Sequence, residues 1–164
     1  MISLVLALAV PSAVSLPPLP PVIDPAACDD PAQRSQIAAK DGEIQQAFDQ
    51  SRVALEAYNN EKEAEMDERL AVLNLPPQER AKFAMSMLEH PRFAAAMAES
   101  GALIQDIMTQ LTTIMGSTDE IANCRAAAKI SALSPAIFAK TDAQWTIMAE
   151  LVADEVARRQ SKEN

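Results

Sequence analysis

The apolar residues Ile37, Ile44, Phe48, Leu55, Tyr58, Met66, Leu70 and Leu73 recur at intervals of three, four or their sums. This spacing places them on one stripe of a long helix. Asp30 offers a cap, Pro31 suits the first helical position and Gln33 stands three residues past the cap, so the helix is expected to begin there. Pro76 and Pro77 stop it, and Gly42 and the pair Asn59-Asn60 are candidate breaks within it. Pro77 opens a second helix through Ala81, Phe83, Met87 and Leu88, which Pro91 kinks or ends because proline lacks a backbone donor and clashes with the preceding turn.

The clearest amphipathic stretch follows, through Phe93, Met97, Leu103, Ile104, Ile107, Met108, Leu111, Ile114 and Met115, with Ser100-Gly101 as a soft point and Gly116 as terminus. Ser117 with Glu120, and Thr141 with Gln144, read as two further capping signatures. They frame helices through Ile121, Cys124 and Ala128 and through Trp145, Met148, Val152 and Val156, with Ser134-Pro135 as the bend between them.

The hard stops divide the chain into passes over 31–74, 77–116 and 118–159. Each is roughly 60 Å long if straight. The expected fold is therefore all-α: an elongated up-down-up helical bundle of three roughly forty-residue legs, kinked at Pro91 and Pro135, forming a single helical domain over 31–164. Pro17, Pro18, Pro20, Pro21 and Pro25 make residues 16–30 a proline-rich tether, expected to be extended.

Composition supports the helical reading, since 49% of the 164 residues are hydrophobic but only 4% aromatic. The net charge of −9, with no run of Lys or Arg, argues against nucleic-acid binding. The acid is local: residues 41–80 hold ten acidic against four basic side chains, and residues 121–164 hold five against six.

Ile2 to Val10 form an apolar run followed by Ala13-Val14-Ser15, the small-residue spacing a signal peptidase prefers, so residues 1–15 read as a secretory signal peptide. That run is too short to span a bilayer, and no stable membrane span is expected in the mature chain. A periplasmic or secreted location follows, and it lets Cys28 and Cys124 form a disulfide. In an up-down-up bundle both cysteines fall at the same end of the molecule.

Chemistry is sparsely represented. The single His excludes metal sites built on two imidazoles, and three scattered Gly exclude a phosphate-cradling loop. Glu61, Glu65 and Glu68 share a helical face of the kind that can hold Ca²⁺, but a solvated face is the expectation. Met85, Met87 and His90 have the chemistry of a Cu(I) site, yet residues two apart on a helix point about 200° from one another, so gap-filling core methionines and a His at a helix end are expected. No catalytic residue, cofactor or metal ligand is assigned.

The segment Leu73-Asn74-Leu75-Pro76-Pro77-Gln78-Glu79-Arg80-Ala81-Lys82 resembles the Leu-x-Leu-Thr-x-x-Gln segment of the Spy and CpxP periplasmic chaperones. Pro76 stands where that family has Thr, Gln78 is displaced by one position, and there is no second copy of the segment. This resemblance of one segment, which assigns no family, implies a hinge between a long helix and its return, and binding of unfolded clients on a concave apolar surface. The functional expectation is an exported helical protein, not an enzyme, that acts by protein-protein contact, chaperone-like binding included. The alternatives are a self-associating coiled-coil spacer of the cell envelope and methionine-based metal handling.

Overall fold

The structure is a computed structural model that describes residues 21–163. The expected signal peptide and the first part of the tether lie outside the described residues. Every element among the described residues is helical: a 3₁₀ turn at Pro25–Cys28, then α1 (Pro31–Ala39), α2 (Asp41–Val72), α3 (Pro77–Leu88), α4 (Pro91–Gly116) and α5 (Glu120–Glu163). No described helix is long and apolar enough to cross a membrane.

Local signals explain most of the helix starts. Asp30 Oδ1 accepts from the Ala32 N–H at 2.9 Å, and Gln33 Nε2 donates to Asp30 Oδ2 at 2.9 Å, so the cap of α1 is built as the sequence pattern indicates. Those donors hold the Asp30 carboxyl below its ordinary range, the Ala32 amide contributing most. Asn74, with φ 47°, turns the chain out of α2 in the left-handed region that Asn tolerates better than most residues.

Several expectations are corrected. The first pass breaks at Lys40, two residues before Gly42, while Asn59-Asn60 stays within α2. Pro91 does not kink a continuous helix; it begins α4, because a first-turn proline gives up a donor that would have no intrahelical partner. His90 then serves the start of α4 and not the end of α3, its Nδ1 accepting from the Arg92 N–H at 3.3 Å. The α5 cap is Asp119, whose Oδ1 accepts from the N–H groups of Ile121 and Ala122, while Ser117 Oγ accepts from Asp119 itself.

Pro135 lies inside α5, which continues through it for 44 residues, about 66 Å of helix, so no separate helix begins at Thr141. Packing on two sides of α5 overrides the local breaker. The proline-rich stretch is also not extended throughout: Asp24 caps the turn at Pro25–Cys28, and the Ile23 N–H donates to Ser131 Oγ on α5 at 3.0 Å.

Two apolar clusters hold the helices. Met66, Leu70, Leu73, Met87 and Val152 form one, joined by Trp145 and Leu151. Ile23, Cys28, Cys124 and Ala128 form the other, joined by Ile37 and Ile44. Between α2 and α5 the partners rise in number together: Tyr58 Oη donates to the Asp142 carboxylate, and Trp145 Nε1 donates to Asn59 Oδ1 at 3.0 Å. Between α4 and α5 they run in opposite order, Arg92 pairing with Glu150 and Glu99 with Lys140. Gln144 Nε2 lies between those pairs, donating to Ser100 Oγ at 2.7 Å and to the Ala96 carbonyl at 3.3 Å.

Candidate functional site

Helix α4 carries two apolar seams, because its hydrophobic residues extend over more than one face. Phe93, Ala96, Ser100, Leu103, Ile107 and Ile114 are buried or half-buried, and the Gln144 bonds to Ala96 and Ser100 place this seam against α5. The second seam turns outward. Met97 is 49% exposed, Ile104 58%, Met108 57%, Leu111 39% and Met115 88%. With Gly101 between Met97 and Ile104, these positions are spaced four, three, four, three and four residues apart, the repeat of a coiled-coil seam.

This outer face is uncharged in a chain of net charge −9. Between Met97 and Met115 the only ionic side chains are Glu99 and Asp106, and at about 100° per residue both leave the helix on the side away from the seam. Glu99 is also paired with Lys140. The positions flanking the seam are Ala98, Gln105 and Thr112. A Cβ added to Gly101 would meet nothing within 4 Å, so the space above that glycine is open.

Sequence periodicity marks α4 as amphipathic but does not separate the two seams. Both obey the same repeat, and only the position of α5 decides which one is covered.

The other sequence candidates are placed as follows. Cys28 and Cys124 stand at disulfide distance, with sulfurs 2.06 Å apart and Cα atoms 5.7 Å apart. Both are buried, in the cluster that joins the N-terminal turn to the first turns of α5. Glu65 is engaged by Lys62 at 2.8 Å and Arg69 at 2.6 Å, which hold its carboxyl below the ordinary range; Glu61 and Glu68 are exposed. Met87 is a core residue, but Met85 is 56% exposed, contrary to the expectation that both fill the core. The helical geometry that separates them by two residues sends one inward and the other outward. Among the described residues no group of three or more His, Cys, Asp or Glu is placed to hold a metal ion.

Tyr58 and Asp142 make a contact the sequence does not suggest, since they are 84 residues apart. Burial, reinforced by the neighbouring Asp142 carboxylate, pushes the Tyr58 phenol well above its usual range. Tyr58 therefore stays a neutral donor at ordinary pH, which suits fastening α2 to α5. Beside it, a cleft of about 310 Å³ is lined by Lys62, Glu65, Arg69, Trp145 and Glu150. The charges at this cleft are largely paired with one another, in the Lys62–Glu65–Arg69 set.

No family model matches the chain, nor does any curated protein or solved structure compared with it.

Proposed function

We propose that the protein is exported and acts by contact, without catalysis, the outer seam of α4 covering apolar surface on other polypeptides. The single observation that carries this reading is the exposed, uncharged seam of Met97, Ile104, Met108, Leu111 and Met115. Methionine is unbranched and polarizable, so a surface rich in it fits varied apolar partners. That suits chaperone-like binding of unfolded chains. Export is supported by the apolar run at Ile2–Val10 and by the two cysteines at bonding distance, a pair that persists in oxidising compartments.

The helix pairings are read as three legs, up, down and up, with α5 as the leg against which the other two are held. In that arrangement α4 presents one seam inward and one outward along the length of the molecule. Self-association as an envelope spacer is the second reading, favoured by the unbroken heptad spacing of the same seam.

The test is suppression of aggregation of a chemically unfolded reporter. The native chain is expected to suppress it, and a Met108→Glu, Leu111→Glu double variant to lose at least tenfold in potency while keeping its helical circular dichroism. A variant as protective as the native chain, or a native chain with no protective effect, contradicts the chaperone-like reading.

A further inference from the structure

We propose that a second copy of this chain covers the outer seam of α4 when no client is bound, the two α4 helices lying antiparallel about Asp106. This inference rests on the reading of α4 as the contact face and names its resting occupant.

The seam is symmetric in its own spacing, because four, three, four, three, four reads the same in both directions. Antiparallel pairing therefore sets Met97 opposite the partner's Met115, Gly101 opposite the partner's Leu111, and Ile104 opposite the partner's Met108. The smallest residue of the seam then meets its only leucine, while the other layers set Met against Met and Ile against Met.

Gly101 is the sharpest clue. Glycine inside a helix is unfavourable relative to alanine, and nothing lies within 4 Å of where its Cβ would stand; the same holds at Gly42 and Gly116, but Gly101 is the glycine that sits within the seam, in the middle of its helix. A bulky side chain from a second copy fits that open space. Charge agrees, because Glu99 and Asp106 project away from the seam, so two copies of an acidic chain meet here without opposing carboxylates. Antiparallel helices also bring opposite dipole ends together.

From Met97 to Met115 the seam is about 27 Å long and about 10 Å wide, less than a standard protein interface. The pair is accordingly reversible, able to open for a client.

The test is sedimentation velocity of the full chain from about 1 µM to about 100 µM, spanning the dissociation constants of a small interface. The native chain is expected to pass from monomer to dimer over this range. Met108→Glu is expected to remain monomeric, and Ala102→Glu, exposed on α4 but off the seam, to dimerise as the native chain does. Gly101→Leu separates fitted pairing from mere stickiness: it adds apolar surface yet is expected to weaken the dimer at least tenfold by filling the space the partner's Leu111 occupies.

An equimolar mixture of Met97→Cys and Met115→Cys chains is expected to cross-link between the two, while neither cross-links alone. A native chain monomeric throughout, a Gly101→Leu chain that dimerises as tightly or more tightly, or a Met97→Cys chain that cross-links to itself overturns the proposal. If the chain stays monomeric but still suppresses reporter aggregation, the second copy is excluded and the contact function stands. A dimer that gives no protection leaves the second copy in place and removes the chaperone-like reading.

Discussion

Trp145 Nε1 donates to Asn59 Oδ1 at 3.0 Å, a bond between α5 and α2 across 86 residues of sequence. The asparagine that local rules mark as a helix breaker is instead the acceptor for the chain's only tryptophan. Replacing it by alanine leaves a half-buried indole N–H without its partner, so Asn59→Ala is expected to lower stability by about 1 kcal/mol. Urea unfolding followed by Trp145 fluorescence measures this, and an unchanged midpoint would show that the bond adds nothing.

Cys28 and Cys124, the chain's two cysteines, close a loop with a sequence separation of 96. A cross-link over a loop of this size stabilises by up to about 4.7 kcal/mol on the chain-entropy model. Cys124→Ser is expected to lower stability by about 3–4 kcal/mol, and the native chain purified without reductant to weigh about 2 Da less than its fully reduced form. Two free thiols in protein recovered from an oxidising compartment would reject the bond.

Glu155 predicts a pH dependence. Arg158 donates to its carboxylate at 2.5 and 2.6 Å and Arg159 at 2.7 Å. Against the opposing effect of burial, Arg158 above all and then Arg159 hold its pKa at about 2, below the ordinary 4.5. A carboxyl depressed in the folded state contributes stability that is fully present above its unfolded pKa and is lost as pH falls through its folded one. The contribution therefore fades between about pH 5 and about pH 2. Urea midpoints taken across that window should fall more steeply for the native chain than for Glu155→Gln; parallel curves would contradict the assignment.

Pro135 sits inside α5 without ending it. Its ring removes the N–H that would otherwise reach the Ser131 carbonyl, a cost the packing of α5 offsets. Pro135→Ala is expected to raise stability by about 1–3 kcal/mol, read from urea unfolding. A loss of stability would mean that α5 needs the proline's shape at that point.

These cases show where the fold is legible in sequence. Asp30, Pro31 and Gln33 build a cap from neighbours along the chain, and local signals of that kind translate directly into helix starts. Pro135 and Asn59 mislead because their fate is decided by packing between helices, for Asn59 by Trp145 of α5, and sequence-local rules do not include such contacts. His90 misleads more narrowly, since the same residue can serve the helix behind it or the one ahead, and the position of Pro91 favours the latter. On α4 the heptad spacing is legible, but the inner and outer seams share it, so the exposed methionines are identified only once α5 is in place. The Tyr58–Asp142 contact leaves no periodic or compositional trace at all.

The most direct test of the contact face is mild peroxide oxidation of the dilute full chain, with methionine sulfoxide read residue by residue by mass spectrometry, with and without an unfolded reporter. Alone, the exposed Met85, Met97, Met108 and Met115 should oxidise readily, while the buried Met66 and Met87 lag. With the reporter bound, Met97, Met108 and Met115 should become protected together and Met85 should stay reactive. A reporter that binds while Met97, Met108 and Met115 oxidise as fast as in the free chain would place the contact elsewhere and contradict the account.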